Sequence, residues 1–416
     1  MAQLKEIAKD SWMLPPLRRD ELGPCGDFPR LTDAQKREVW SAYQAGTPRR
    51  VPVTLGINNR VLLQSAALNT DNLTYREVFS DPMAMLVAQL RTQYLVRMRH
   101  ALFHDADASL PDEWKVSAHY QNVSEAAFFR CPLQFRDGEV PDTLPAYAGS
   151  RKRAVFDVDI DHPADEGFFA EGLRMTHRME EAAKGITFFG RPVIVEPYLP
   201  LFSDGPLTVA MNIRGPEILT DVIDDPGYAA ELFDFIVTAA HKRNRGLRAY
   251  WGIEEKPDEE IAFADDSISL ISTDLYRSAV LPSHRKWYDT LDPDHGRKRS
   301  IHLCGDAQRH FPLIREELGV SSFDTGFPVD FARAREELGP HVEILGGVEV
   351  TTLLTGSPDA VFKRARSILE SGILRGGRFI LREGNNLPPA TPYANLAAMY
   401  TAAFKWGTYP LTRPSV

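Results

Sequence analysis

The chain has 416 residues, 43% of them hydrophobic, and a formal net charge of −9. This acidic balance argues against a nucleic-acid partner, because there is no basic stripe to neutralise phosphates. No apolar run approaches the roughly 20 residues that a membrane span needs, and no secretory signal opens the chain, so we expect a cytoplasmic protein without a membrane contact. Three cysteines, Cys25, Cys131 and Cys304, argue against a disulfide framework.

The predicted elements alternate between short β-type runs and longer helical segments. Residues 1–45 are rich in charge and proline, and we expect this extension to wrap the outside of a domain formed by residues 46–416. Strands are predicted over residues 51–55, 114–118, 192–196, 261–265, 300–304, 322–325, 342–346 and 378–381. Eight such strands alternating with helices predict an α/β fold, a single (β/α)8 TIM-type barrel, with an open doubly wound sheet as the alternative.

A long connection, residues 119–190, separates the second and third predicted strands and carries many aromatic side chains. Such a composition is untypical of disorder. We expect this insertion to pack over one mouth of the barrel as a lid, and a purely structural excursion is an equal alternative.

Two histidines just before this region, His100 and His104, have the i, i+4 spacing of metal-binding pairs. No glutamate follows His100, so a surface helix without a metal is the favoured interpretation. Cys25 and Cys131 are interpreted as packed or loop residues without chemistry.

Polar and ionisable residues follow the predicted strands where each strand ends. The carboxyl ends of barrel strands form one face, and this face carries the catalytic groups of such folds. The residues are Asn58, Asn59, His119, Glu196, Asp265, Asp266, His302, Cys304, Asp324, Glu383 and Asn385. Together they are typical of a metal or acid/base site, whereas any one acid could equally be a solvated loop residue or a helix cap.

His302 and Cys304 lie two positions apart in a predicted strand, so both side chains point to the same face. An imidazole nitrogen and a thiolate sulfur are both good zinc ligands. The stretches 299–306 and 377–392, supported by weaker matches at 263–272, 324–330 and 344–349, resemble the uroporphyrinogen decarboxylase superfamily. The pattern is most similar to its zinc-dependent methyltransferases, which work with corrinoid proteins.

This resemblance implies a methyltransferase that moves a methyl group between a small-molecule donor or acceptor and a corrinoid held by a partner protein. It also implies zinc, with His302 and Cys304 as ligands. Asn385 stands where the methyltransferase branch has its second cysteine, and an amide oxygen is a weak zinc ligand. We therefore expect Glu383, or else Glu196 or Asp265, to complete the metal set, because zinc accepts carboxylate oxygens. The alternative is that the protein binds no zinc.

The remaining candidates, Asp265, Asp266, Glu196 and Asn385, are expected to be catalytic. Two alternatives stay open, a metal-independent decarboxylase and a non-catalytic small-molecule-binding barrel. Decarboxylases of the superfamily carry an Arg-Gln-Ala-Gly-Arg-Tyr signature after the first strand, whereas residues 56–61 here read Gly-Ile-Asn-Asn-Arg-Val. A porphyrinogen with many carboxylates would meet an acidic mouth, so Coulomb repulsion disfavours that substrate.

Overall fold

The computed structural model describes residues 5–201 and 203–409. The strands of this part are β1 Lys5–Glu6, β2 Trp114–Val116, β3 Leu133–Gln134, β4 Asp142–Thr143, β5 Ile186–Phe188, β6 Arg191–Val195, β7 Ile261–Ala264, β8 Arg299–Leu303, β9 Ser322–Thr325, β10 Glu343–Val348 and β11 Phe379–Glu383. Residues 1–4 and 410–416 of the predicted extension and barrel lie outside the described residues.

The helices are α1 Asp33–Gln44, α2 Arg60–Leu63, α3 Tyr75–Ser80, α4 Pro82–Met98, α5 Ser124–Phe128, α6 Gly167–Ala183, α7 Pro206–Arg214, α8 Glu217–Asp224, α9 Pro226–Trp251, α10 Thr273–Leu275, α11 Leu281–Leu291, α12 Phe311–Leu318, α13 Phe331–Leu338, α14 Val350–Thr355, α15 Pro358–Glu370 and α16 Tyr393–Trp406. Short 3-10 turns occupy Asp10–Trp12, Asp20–Leu22, His100–Leu102, Gln121–Val123, Gly149–Asp157, Asp266–Leu270 and Gln308–His310, and a π turn occupies Tyr276–Val280. None of the described helices is long and apolar enough to cross a membrane.

The C-terminal half contains a five-stranded parallel sheet in the order β11-β10-β9-β8-β7. Helices connect each strand to the next, as parallel pairing requires. The strands are buried on both faces, which is why they read as nearly continuous apolar runs. The register places Ala264, His302 and Asp324 in one row across β7, β8 and β9, so the residues just beyond them meet at one edge.

A second sheet has the order β1-β5-β6-β2, in which β5 and β6 are antiparallel and the other pairs are parallel. The predicted strand at 51–55 makes only an isolated bridge, Val53 to Leu381, because Pro52 has no N–H to extend a ladder. A similar bridge joins Asp204 to Ala264. The α/β fold with parallel strands is confirmed, and the closed eight-stranded barrel stays a prediction because strand pairing within 5–201 and 203–409 does not join the two sheets.

The insertion 119–190 is a packed part of the molecule. It contains α5, α6 and β5 together with the antiparallel pair β3 and β4, and α6 packs against α4 and β6. Its aromatic residues Phe128, Phe129 and Phe169 are buried in the same core as the sheets. Only its first residues reach the cavity described below, so its role as a lid stays a prediction.

The surface setting predicted for His100 and His104 is wrong. Helix α4 ends at Met98, and the 3-10 turn His100–Leu102 turns the chain inward. The two histidines are 5% and 4% exposed. Burial disfavours the charged imidazolium, and it lowers the pKa of His100 to about 4 and that of His104 to about 3.

Candidate functional site

A cavity of about 800 Å³ lies at the carboxyl ends of the parallel strands. Its acidic lining residues are Glu125, Glu196, Asp204, Asp266 and Asp324, and its basic or titratable ones are Arg60, His119, His302 and Arg382. Asn385 and the aromatic ring of Tyr120 also face the cavity. A concave space with several convergent polar groups is typical of an active site.

His302 and Asp266 line this cavity, and together with Cys304 they form a compact cluster. The Nε2 atom of His302 lies 3.0 Å from the Cys304 sulfur and 3.9 Å from Oδ1 of Asp266. The backbone N–H of Cys304 donates to the same carboxylate oxygen at 2.7 Å. One ligand atom from each of the three side chains falls within 4.8 Å of the others, so the three can converge on one ion.

Asp324 fixes the orientation of the His302 ring. Its Oδ2 atom lies 2.8 Å from Nδ1 of His302 and also accepts from Arg382 at 2.8 Å. Burial disfavours a charged imidazole, but the hydrogen bonds to Asp324 and Cys304 outweigh it and raise the pKa of His302 to about 11. Burial likewise opposes a charged Asp324, but hydrogen bonds from His302 and Arg382 hold the pKa of that carboxyl below its usual range.

Two acids of the cavity are shifted the other way. Burial raises the pKa of Asp266 despite the nearby His302. Burial, reinforced by the charges of Glu125 and Asp266, raises the pKa of Asp204 well above its ordinary value. The Asp204 carboxyl is therefore a candidate for an acid/base role in the cavity.

The structure brings together some of the predicted site residues. Asp266, His302 and Cys304 are in contact range of one another, and Asn385 and Glu196 line the same cavity. Glu196 is exposed, and its Oε1 atom lies 3.5 Å from Nζ of Lys115. The Oδ1 atom of Asn385 accepts from the backbone of Asn386, so this amide is turned toward its own loop.

Asp265 is placed elsewhere than predicted. Its side chain is fully buried, and its two oxygens accept from the backbone N–H groups of Leu207 and Thr208, in the first turn of α7. A carboxylate at this position complements the helix dipole. The imidazole of His284 lies 2.8 Å from its Oδ2. These contacts use the carboxylate to hold α7 against β7, and Asp265 does not line the cavity.

Glu383, the predicted third metal ligand, is also separate from the His302 cluster. Its Oε1 atom accepts from the Gly56 N–H at 2.7 Å and from Arg382 at 2.9 Å. Its Oε2 atom is buried without a hydrogen-bond partner among the described residues. Burial raises the pKa of this carboxyl to about 7 against the lowering effect of Arg382. Among the described residues, the carboxylate that lies within 4.8 Å of the ligand atoms of His302 and Cys304 is that of Asp266. The identity of the third metal ligand stays a prediction.

Sequence reasoning missed three charged residues of the cavity, namely Asp204, Arg60 and Arg382. Asp204 precedes a Gly-Pro helix start and forms the bridge to Ala264, so it lies at an unrecognised strand end. Arg60 starts the short helix α2, and its Nε is buried without a partner in the part of the chain that the structure describes. Arg382 lies inside β11 beside Glu383. Because neighbouring side chains of a strand point to opposite faces, the position of Arg382 in the strand was a signal that could have identified it.

The donors of the cluster fit a zinc ion. A carboxylate, an imidazole and a thiolate are all zinc ligands, and three protein ligands leave the open fourth position of a catalytic site. Asp324 supplies the carboxylate that commonly holds the second ring nitrogen of a zinc-bound histidine. Asp266, His302 and Cys304 are therefore the residues that could hold the metal.

The part of the chain that carries this site matches a protein family. A family model described as uroporphyrinogen decarboxylase (URO-D) matches residues 198–406, about half of the chain. A methylated-thiol–coenzyme M methyltransferase from Methanosarcina mazei is 31% identical over 186 residues, which are 42% of this chain and 46% of that protein. The match thus spans less than half of the curated relative.

A solved structure described as a methyltransferase from Methanosarcina mazei has a similar fold. Its TM-score is 0.61 at 17% sequence identity, and the alignment covers 89% of this chain and 98% of the other. At this identity the likeness concerns the fold alone. Taken with the family match, which contains Asp204, Asp266, His302, Cys304, Asp324 and Arg382, it identifies the chain as a member of the uroporphyrinogen decarboxylase (URO-D) family, similar to its methyltransferase branch.

Proposed function

We propose that this protein is a methyltransferase that moves a methyl group between a small molecule and a corrinoid held by a partner protein, with a zinc ion in the site. The observation that carries the proposal is the cluster of Asp266, His302 and Cys304, two of which, Asp266 and His302, line a cavity of about 800 Å³. The similarity to a methylated-thiol–coenzyme M methyltransferase supports methyl transfer as the reaction class.

Asp266, His302 and Cys304 would hold the zinc ion. When bound, zinc supplies Lewis acidity, which polarises a methyl-bearing heteroatom or lowers the pKa of an acceptor thiol. The contribution of the chain's other residues is to orient these ligands. Asp324 accepts from Nδ1 of His302, which leaves Nε2 directed at Cys304, and Arg382 holds Asp324 in place.

Asp204 supplies proton transfer in this proposal. Its carboxyl lines the cavity, and burial and the neighbouring acids raise its pKa well above the ordinary value. A neutral acid can donate to the heteroatom that loses its methyl group, and general acid catalysis of this kind contributes on the order of 10²–10⁴-fold in rate.

The ligand set favours a methyl donor over a thiol acceptor as the small molecule. A carboxylate and an imidazole beside a single thiolate transfer less charge to zinc than two thiolates would, so the metal stays more electrophilic. Asn385 occupies the cavity rim without adding a thiolate. A methoxylated compound, whose oxygen must be activated before its methyl group leaves, suits such a site.

A metal-independent decarboxylase is the second candidate, and one observation favours it. The guanidinium of Arg60 faces the cavity and makes no ion pair with any described residue, so it is able to bind a substrate carboxylate. The five acids of the cavity oppose this reading for a substrate with many carboxylates, because like charges repel. Methyl transfer therefore remains the function that the site supports best.

The test is a methyl-transfer assay with reduced cobalamin as the acceptor and methoxylated or methylthio compounds as donors, followed by the absorbance change on methylation of cobalt. We expect zinc-dependent activity that falls at least a hundredfold in His302→Ala, about 2.7 kcal/mol in the barrier. His341→Ala changes an exposed histidine and is the matched control.

Activity that is unchanged in His302→Ala would contradict the proposed site. Zinc-free wild-type protein that releases carbon dioxide from a carboxylated substrate would favour the decarboxylase. A protein that binds these compounds and turns over none of them would favour the non-catalytic alternative.

A further inference from the structure

A second cavity, of about 350 Å³, lies beside the loop that follows β11. This loop contributes Asn385 and Asn386 to the main cavity, and its next residues, from Leu387 to Tyr393, line the second one. The two cavities share no lining residue, so the second cavity is a separate compartment.

Arg99 places a positive charge in the wall of this compartment. Its side chain is only 8% exposed, and its Nη1 atom has no hydrogen-bond partner. Among the described residues no carboxylate forms an ion pair with its guanidinium. Arginine stays charged in proteins, and a buried charge without a partner costs several kcal/mol.

His100 adds a second unsatisfied polar group to the same wall. It is 5% exposed, and its Nδ1 atom is buried without a partner. A group of this kind in a native fold calls for a missing partner, such as a ligand. Arg99 and His100 are adjacent in the chain and line one cavity, and the guanidinium of Arg99 is the charged group that a ligand there can pair with.

The rest of the compartment is mostly apolar. Its walls include Val61, Leu68, Leu387 and Ala390 and the ring of Tyr393. The volume is near the lower end of the range for small-molecule pockets, which begins at about 300 Å³. A water molecule or a chloride ion would leave these apolar walls uncovered, whereas a compact organic anion would cover them.

We propose that this compartment is a binding site for a small organic carboxylate, separate from the proposed methyl-transfer site. The carboxylate accepts two parallel N–H bonds from the guanidinium of Arg99, the geometry that arginine prefers for this group. The apolar or aromatic body of the ligand packs on Leu68, Leu387 and Tyr393.

The experiment is isothermal titration of the full chain with benzoate, which joins a carboxylate to a compact apolar ring. We expect saturable binding of about one benzoate per chain, weakened at least tenfold by Arg99→Met, which corresponds to about 1.4 kcal/mol. Arg151→Met removes a guanidinium from an exposed position and should bind benzoate within about twofold of wild type, as expected for a distant site.

Two further arms locate the site. Arg60→Met removes the unpaired guanidinium of the main cavity and should leave benzoate binding unchanged. Benzyl alcohol, which has the same ring without the charge, should bind wild type at least tenfold more weakly than benzoate, and this arm needs no variant to fold. Arg99→Met should melt at or above the temperature of ligand-free wild type, because it removes an unpaired buried charge.

The proposal is overturned if benzoate shows no saturable binding to wild type, or if Arg99→Met binds it equally well. Loss of binding in Arg60→Met with retention in Arg99→Met would place the ligand in the main cavity and would also overturn it. Inorganic phosphate that binds where benzoate does not would contradict the organic body of the ligand. None of these results depends on methyl-transfer activity.

Discussion

The two halves of the molecule supply the main cavity in different ways. In the C-terminal half, His302, Asp324 and Arg382 lie within strands of one parallel sheet, and Asp266 follows β7 by two residues. In the N-terminal half, Arg60, His119 and Glu125 stand on short helices or in loops. A rigid sheet holds reacting groups in fixed positions, whereas loops vary in length and sequence and select what enters.

The same division separates shared chemistry from specificity. The family model covers residues 198–406, which include the zinc-site candidates. Arg60, His119 and Tyr120 lie outside that range and also line the cavity. We therefore expect substitutions in the sheet to change chemistry and stability, and substitutions in the loops to change substrate preference.

The largest effect is expected where the N-terminal half is joined to the rest of the fold. Asp105 is 3% exposed, and its carboxylate accepts from Arg50, the Val53 N–H and the Tyr400 hydroxyl. Asp105→Ala should lower the free energy of unfolding by about 4 kcal/mol, because it leaves a buried arginine unpaired. Chemical denaturation measures the change.

Asp107→Ala is the matched control for this variant. Its carboxylate is 40% exposed and pairs with Arg37 at the surface, so its loss should cost less than about 1 kcal/mol. Equal losses in the two variants would contradict the role of Asp105 as the junction between the halves.

The next comparison separates two adjacent acids at the end of β7. Asp265→Ala should destabilise the fold by about 3 kcal/mol, because it leaves α7 N–H groups and His284 without their acceptor. Asp266→Ala should cost less than about 1 kcal/mol, because Asp266 faces the cavity and the change affects mainly the backbone bond to Cys304. Thermal or chemical denaturation of both variants tests this, and the reverse order of stabilities would exchange their roles.

Acid sensitivity should arise from the buried histidines of the N-terminal half. The pKa of His104 is lowered from 6.5 to about 3 by burial and by the charges of Lys36 and His100. The unfolded chain therefore binds this proton more tightly than the folded one, so stability is complete above pH 6.5 and falls as the pH drops toward 3. His104→Leu should recover about 2 kcal/mol of this loss at about pH 5.

The measurement is the free energy of unfolding at about pH 7 and about pH 5 for wild type, His104→Leu and the exposed control His341→Leu. An unchanged pH slope in His104→Leu would show that other groups cause the acid sensitivity. A flattened slope in the control would show the same.

The smallest effect is expected from a group that acts on the site through another residue. Asp324→Asn keeps the shape of the side chain but weakens the hold on Nδ1 of His302. Partners of this kind change metal affinity by about 10–100-fold when they are mutated. Zinc titration against a competing chelator measures the change, and an affinity equal to that of wild type would mean that His302 needs no such support.

Much of the sheet half could be predicted from the sequence, and the reason is its regularity. The sequence pattern predicted strands β7 to β11 to within a few residues of their observed bounds. The two-residue period of a strand also predicted that the side chains of His302 and Cys304 lie beside each other. The run at 51–55 was predicted as a strand because it is apolar, but Pro52 prevents a continuous ladder there. Local pattern was sufficient for β7 to β11 and was not sufficient at 51–55.

The identity of the third carboxylate could not be predicted, because it depends on which way adjacent side chains face at the end of a strand. Asp265 and Asp266 are neighbours in sequence, but the carboxylate of Asp265 accepts a hydrogen bond from the backbone of α7, whereas Asp266 lines the cavity. The carboxylate of Glu383 is a suitable metal ligand in chemical terms, but its Oε1 atom accepts hydrogen bonds from the Gly56 N–H and from Arg382. The contacts of Asp265 with α7 and of Glu383 with Gly56 join residues more than 50 positions apart, which no local pattern reveals.

The central claim is that Asp266, and not Glu383, completes a zinc site with His302 and Cys304. The most direct test is the zinc affinity and content of wild type, Asp266→Ala and Glu383→Gln, measured by mass spectrometry of the metal and by chelator competition. We expect about one zinc per chain in wild type and in Glu383→Gln, and an affinity at least tenfold lower in Asp266→Ala. A wild type without zinc, or a loss of zinc in Glu383→Gln that Asp266→Ala does not show, would contradict the claim.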